Sequence, residues 1–262
     1  YVRRDEYYSL VMIDPVSGQT VFEKIIPAAG VVEGDPLIYL VEDGEKNYLF
    51  HKKGLNQYLF EIKSGQRIWE KALLDDSYHV KIQNNLMLIY SNNNTDVVIQ
   101  NIISQKKIGD YGLEATVERG FFWKDNIIIN TKNSITSLKT YKPFLRGLHN
   151  WTQPIDNSDE IRWITSVHNN LFSFTKSGDL YCLNGKTGEI IHHNQIGHNI
   201  DSFHYEGAND PGYSPSKSYI IYANGFLIGL DTNNGKTLWK IRELNINEYR
   251  LYGHIIPIGN KV

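Results

Sequence analysis

Apolar and polar residues alternate along this chain in short runs, separated by clusters of Gly, Asn, Asp and Ser. Ile-rich runs such as "NIIIN" at 126–130 and "YIIYAN" at 219–224 suit strands. No stretch of twelve residues holds a helical rhythm. The runs fall into groups of four. The clearest group reads Pro36–Glu42, Asn47–Lys53, Gln57–Lys63 and Arg67–Leu73. The next reads Tyr78–Gln83, Leu86–Ser91, Asp96–Ile102 and Lys106–Tyr111. It is followed by Gly120–Asp125, Asn126–Lys132, Ser134–Thr140 and a strand through Trp151. A fifth group takes Ile161–Val167, Leu171–Ser177, Asp179–Asn184 and Gly188–His193; a sixth takes Asp201–Gly207, Ser218–Asn224, Phe226–Asp231 and Thr237–Glu243. The first group draws on both termini: Tyr252–Gly259, then Tyr1–Glu6, Tyr8–Asp14 and Thr20–Ile26.

A recurring turn punctuates the groups. It reads aliphatic, Asp or Asn, three turn residues, Gly, three residues, aromatic. "IDPVSGQTVF" sets Gly18 before Phe22, and "LNGKTGEIIH" sets Gly188 before His192. "LDTNNGKTLW" sets Gly235 before Trp239. "EIKSGQRIW" fits with a turn two residues shorter, giving Gly65 and Trp69, and "GLHNW" gives Gly147 and Trp151. In "SQKKI", Ser104 stands in the glycine position and Ile108 in the ring position. The carboxylate or amide accepts backbone N–H groups of the turn, and glycine supplies a positive φ. The ring then packs on the neighbouring sheet.

The glycine positions are spaced by 47, 39, 43, 41 and 47 residues, and the residues beyond Gly235 with those up to Gly18 number 45. That period, with several strands per unit, marks a propeller blade. The expected fold is all-β: one domain over residues 1–262, a six-bladed β-propeller of four-stranded antiparallel blades. Pairing of N- and C-terminal strands closes the ring and removes an open edge.

The turn resembles the quinoprotein-type (PQQ-like) repeat, roughly A-x-D-x-x-T-G-x-x-x-W. Asp14, Asn184 and Asp231 stand four before the glycine, and Trp69, Trp151 and Trp239 fill the tryptophan position; Phe22 and His192 depart from it. The resemblance implies a propeller. Its relatives include quinone-dependent dehydrogenases, a periplasmic lipoprotein that assists outer-membrane protein assembly, and luminal sensor or scaffold domains. It therefore favours a periplasmic, extracellular or luminal setting. The dehydrogenases are longer, and many set adjacent cysteines against the quinone. The single cysteine here, Cys182, rules out that pair.

Composition narrows the chemistry. The net charge is −2 and no basic stripe is visible, which argues against nucleic acid. No apolar run approaches the ~18 residues of a membrane helix. One cysteine excludes an internal disulfide and a cysteine-based zinc finger. The chain starts at Tyr1, so a processed product or an excised domain is expected.

"NGKT" at 184–187 and again at 234–237 brings a P-loop to mind, but Leu180 and Leu230 stand where its first glycine belongs. "DTNNGKT" fails as a calcium loop, its glycine coming one position early. The nearest thing to a metal site is His192, His198 and His204, with His193, Asp201 and Glu206 nearby. Their spacing of six is not a ligand rhythm, and His192 occupies a packing position. "GANDPGYSPSKS" at 207–218 reads as an exposed insertion, and loops carry function more often than framework. Asp210, Tyr213 and Lys217 are its candidate partner-binding residues. "NNT" at Asn93 and "NWT" at Asn150 match glycosylation acceptors. The expected function is a non-enzymatic scaffold, monomeric alone and without cofactor, that binds another protein. The competing reading is a propeller that binds a small molecule or metal, with quinone-dependent or other enzyme activity left open to it.

Overall fold

The structure is a computed structural model. It describes residues 2–4, 7–14, 16–27, 37–75, 77–140, 149–155, 159–196, 218–223 and 226–242. Every regular element among them is a strand. No helix among them is long and apolar enough to cross a membrane. The chain divides into two compact units: Tyr1–Glu114 with Thr140–Arg146, and Ala115–Lys139 with Gly147–Val262.

The first unit holds three sheets. One is the three-stranded meander β1 (Val2–Arg4), β2 (Tyr7–Ile13) and β3 (Thr20–Pro27). The next is four-stranded: β4 (Leu37–Asp43), β5 (Lys46–Lys53), β6 (Asn56–Glu61) and β7 (Arg67–Ala72). So is the third: β8 (Tyr78–Gln83), β9 (Leu86–Ser91), β10 (Asp96–Asn101) and β11 (Lys107–Gly112). The second unit repeats the plan. It has β12 (Arg119–Trp123), β13 (Asn126–Asn130), β14 (Ser134–Lys139) and β15 (His149–Pro154). Then come β16 (Ile161–Val167), β17 (Asn170–Thr175), β18 (Asp179–Asn184) and β19 (Ile190–Gln195). A three-stranded sheet follows: β20 (Ser218–Ala223), β21 (Phe226–Asp231) and β22 (Thr237–Arg242). All neighbours pair antiparallel in chain order. The strands expected at Asp201–Gly207 and Tyr252–Gly259 lie outside the described residues, as does Gly147.

Middle strands are buried on both faces, and outer strands are half wet. All six side chains of β17 are buried, whereas β7 keeps only Trp69 partly covered. In the first unit, Phe22 meets Phe60 with ring centroids 5.9 Å apart, joining the first two sheets. Phe50, Leu59, Met87 and Ile102 join the second to the third. In the second unit, Ile128, Ile135, Leu171 and Leu183 form one layer; Phe172, Phe174, Cys182, Ile228 and Leu230 form the other. Each fully buried Phe or Leu contributes about 1.5–3 kcal/mol relative to exposure.

The recurring turn is found as a physical object. Asp14 Oδ1 accepts the N–H groups of Val16 and Ser17, each at 2.8 Å. Asn101 Oδ1 does so for Ile103 and Ser104, and Asn184 Oδ1 for Lys186 and Thr187. Gly18, Gly65, Gly188 and Gly235 take φ of +69, +66, +78 and +74°, and each donates its N–H to the carbonyl four residues back. A β-bulge follows in all six sheets where the last strand pairs with the one before it, between Met12/Ile13, Leu59/Phe60, Ile99/Gln100, Ser137/Leu138, Cys182/Leu183 and Gly229/Leu230. The bulge bends the outer strand and aims the ring position.

Two readings need correction. The turn at Gly65 is not shorter: Glu61 occupies the Asp/Asn position, and its N–H and C=O make the same two bonds, to Gln66 O and from Gly65 N, that Asp14 makes. Glu61 holds Ser64 Oγ instead of backbone N–H groups. In the third sheet the glycine position is Gln105, at φ +55°, not Ser104. The frame therefore moves on by one, and Gly109, not Ile108, stands opposite Ile99 in the ring position. Tyr111, two residues on, lays its ring over Gly109, where a Cβ would come within 2.8 Å of it.

Candidate functional site

Two kinds of end can be told apart on each sheet. One carries the turns between first and second strands and the Asp/Asn–Gly turns between third and fourth. The other carries the hairpins between second and third strands and the connections to the next sheet.

The Asp/Asn–Gly end is saturated with internal bonds. The N–H groups of Lys186 and Thr187, which a P-loop would offer to phosphate, are bonded to Asn184 Oδ1 at 2.9 and 3.2 Å. Gly185 N–H is held by Asn169 O. Trp69 Nε1 donates to Ile102 O at 2.8 Å, and Trp151 Nε1 donates to Gly185 O at 3.2 Å. Each indole thus reaches the turn of the sheet that follows it. Trp239 behaves differently and lies over its own sheet at Gly229, where a Cβ would come within 2.2 Å of the indole. Asn170 Nδ2 donates to Thr232 O at 2.9 Å and Asn233 O at 2.8 Å, tying the last two sheets of its unit. Cys182 is buried against Gly235. Burial, with Asp231 second, pushes its thiol up to about 12, so it is no nucleophile at neutral pH.

The opposite end of the β16–β19 sheet gathers a polar network. His193 Nε2 donates to Asp179 Oδ1 at 2.7 Å, and its ring stacks on Tyr181 with centroids 4.4 Å apart and planes 6° from parallel. Ser177 Oγ lies 2.8 Å from Asp179 Oδ2 and also contacts Asp159 Oδ2. Asp159 Oδ1 accepts the N–H groups of Glu160 at 2.8 Å and Ser177 at 3.2 Å. Burial alone would raise the Asp159 carboxyl. The Ser177 and Thr175 hydroxyls and the two backbone N–H groups outweigh it and hold the carboxyl below its ordinary value.

This order matters chemically. A nucleophilic triad places imidazole between hydroxyl and carboxylate. Here a carboxylate stands between His193 and Ser177, so the imidazole is in no position to take the Ser177 proton. The network orders the hairpin end and presents His193, half exposed, to solvent.

The histidines separate. His192 and His193 are consecutive on β19 and so face opposite sides of the sheet; His192 lies opposite Cys182 and His193 opposite Tyr181. His198 and His204 lie outside the described residues, as do Asp210, Tyr213 and Lys217. Among the described residues no three His, Cys, Asp or Glu side chains gather as a metal site. Sequence reading grouped His193 with histidines close in sequence and missed Asp159, Ser177 and Asp179. The available signal was hairpin register, which sets Asp179 at the start of β18 near the end of β19.

No family model and no curated protein matches the sequence. Solved structures do. The chain is similar to BamB from Moraxella catarrhalis, at 14% identity and a TM-score of 0.58, over 87% of this chain and 66% of that one. It is similar to the computationally designed Ika8 protein, at 13% identity and a TM-score of 0.56, with the same coverage. Hsv2 of Kluyveromyces lactis follows at 11% identity and a TM-score of 0.52, over 74% of this chain and 59% of that one. The chain spans just under two thirds of the first two. At these identities the likeness shows the fold alone: strand-only sheets, most of them four-stranded and antiparallel, built like the blades of a propeller.

Proposed function

We propose that this chain is a single six-bladed propeller, closed by its terminal strands, that performs no chemistry and binds another protein through the connections between its sheets. The described residues hold six sheets, and the first and last have three strands each. The proposal gives Tyr252–Gly259 to the first and Asp201–Gly207 to the last. In the first unit, Ile38 and Leu40 of β4 are exposed on the face opposite Tyr39 and Val41.

The observation that carries the binding role is the polar end of the β16–β19 sheet. Its groups are fixed by one another in an order suited to presentation. Ile196 N–H bonds Gly178 O, so the chain leaves β19 at this same end and enters the connection to the last sheet. The insertion with Asp210, Tyr213 and Lys217 follows the strand proposed at Asp201–Gly207 and so belongs to the other end of that sheet. The propeller-like fold, of a type that commonly serves as an interaction scaffold, supports this reading. The setting would be periplasmic, extracellular or luminal, as the repeat resemblance implies.

The test is affinity capture from native extract with the wild-type chain, a variant carrying Asp179→Asn and His193→Ala, and a second variant carrying Asp210→Ala, Tyr213→Ala and Lys217→Ala. One protein retained by the wild type and lost by the Asp179/His193 variant, at unchanged circular dichroism, supports the reading; loss by the second variant alone moves the binding face to the Asp/Asn–Gly end. Equal retention by the wild type and the Asp179/His193 variant overturns the assigned face. Stoichiometric bound metal in the purified protein, with thermal stabilisation lost in EDTA, overturns the non-enzymatic scaffold in favour of the metal-binding reading.

A further inference from the structure

The chain carries two Asn-x-Thr sequences, Asn93–Thr95 and Asn150–Thr152, and the structure treats them differently. We propose that Asn93 is an acceptor for an N-linked glycan and that Asn150 is not.

Asn93 lies in the turn between β9 and β10, and Asn92 and Asn93 are both exposed. The turn is held without the Asn93 side chain. Ser91 Oγ accepts Asn93 N–H at 3.1 Å, Ser91 O accepts Asn94 N–H, and Asn94 Oδ1 accepts Thr95 N–H at 2.7 Å. Ser77 Oγ braces Ser91 Oγ at 2.7 Å. The Asn93 amide therefore projects from a stable hairpin tip. A sugar on Nδ2 displaces nothing and keeps full hydration.

Asn150 sits at the bulge of β15, and its amide is in use. Nδ2 donates to Asn126 Oδ1 at 2.7 Å and to Ser137 Oγ at 3.2 Å, reaching across two strands. Ser137 is fully buried, and Trp151 beside it is committed to Gly185 O. A sugar on this nitrogen would replace one of its two N–H bonds and wedge a bulky polar group onto the sheet. Loss of one such part-buried bond leaves a polar partner unpaired, before any steric conflict is added.

The chemistry is a group transfer from a polyprenyl-diphosphate oligosaccharide. The Asn93 Nδ2 lone pair forms the bond to the sugar C1 as the C1–O bond to the diphosphate breaks. The diphosphate leaves with the bonding pair, and an enzymatic base takes the Nδ2 proton. The Thr95 hydroxyl is the recognition element that the transferase requires two residues on. This inference stands apart from the proposed binding role and says nothing about which partner is bound.

The test is secretion of the full chain behind a cleavable leader from a eukaryotic host, followed by peptide-N-glycosidase and site mapping by mass spectrometry. Cell-retained protein is mapped alongside the secreted fraction. The expected result is a single glycan on Asn93. Asn93→Gln and Thr95→Ala abolish it, Thr95→Ser keeps it, and Asn150→Gln leaves the pattern unchanged. Folded protein with an unmodified Asn93, or with a glycan on Asn150, overturns the proposal.

Discussion

The close approach of Gly235 to Cys182 allows the packing between the last two sheets of the second unit to be weighed in isolation. Gly235 has φ +74°, and a Cβ there would lie 2.5 Å from Cys182 Cβ, 3.2 Å from its Sγ and 3.4 Å from Phe172 Cε1. Gly18 occupies the same place in the first sheet at φ +69°, with nothing within 4 Å of its imagined Cβ. Alanine at either position must adopt the left-handed region, at a cost of about 1–2 kcal/mol. Only at Gly235 does overpacking of a tight core add to this, by about 1–3 kcal/mol. Gly18→Ala should therefore lose roughly 1–2 kcal/mol and Gly235→Ala roughly 2–5 kcal/mol. Urea unfolding, followed by tryptophan fluorescence and far-ultraviolet circular dichroism, measures both. Removing the opposing Cβ with Cys182→Gly should soften the Gly235→Ala penalty, giving a favourable coupling of about 1–3 kcal/mol in a double-mutant cycle. Equal losses at the two glycines, or zero coupling with Cys182, would show that the two sheets do not meet as described.

Other expectations are as direct. His51 is buried, and burial, with Lys53 second, pushes its imidazole from the ordinary 6.5 down to about 4. Between those values the unfolded chain takes up a proton that the folded chain refuses. Stability should then fall as pH drops through that window, by at most about 3 kcal/mol, and level off below it; urea midpoints in His51→Gln should lose most of this slope. Trp69→Phe removes the bond to Ile102 O and should cost about 1 kcal/mol beyond lost packing. Trp151→Phe, with its longer bond, should cost less, and calorimetric or urea midpoints that rank the two in reverse would contradict the geometry. The buried Cys182 thiol should resist an aromatic disulfide reagent in the native protein and react at once in urea; rapid native labelling would place it at the surface.

Much of the fold could be read from residue order because its cause is local. Alternation and short apolar runs placed the strands of the second and third sheets to within one or two residues, and the Asp/Asn–Gly spacing located the bulged outer pair. The frame slipped where a residue adopts a backbone state its side chain does not announce. Nothing about Gln105 marks it for φ +55°, and Tyr111 substitutes for a ring missing two positions earlier. Glu61 was overlooked because it fills the Asp/Asn position through its backbone, while its side chain turns to Ser64 and Lys46. The network of Asp159, Ser177, Asp179 and His193 was illegible for another reason. Its members come from a connection, a hairpin and two strands, and only antiparallel register brings them together.

The glycine N–H bonds of the repeated turn bear on how this protein ages. Asn–Gly sequences are the ones most prone to spontaneous deamidation, because an unhindered glycine nitrogen attacks the asparagine side chain. Gly185 nitrogen, however, is committed to Asn169 O, and Gly235 nitrogen to Asp231 O. At both "NGKT" sites the attacking atom is locked in place, so succinimide formation has to await local opening. Isoaspartate at Asn184 and Asn234, followed by peptide mapping over long incubation, should accumulate at a rate set by unfolding and serve as a clock for it.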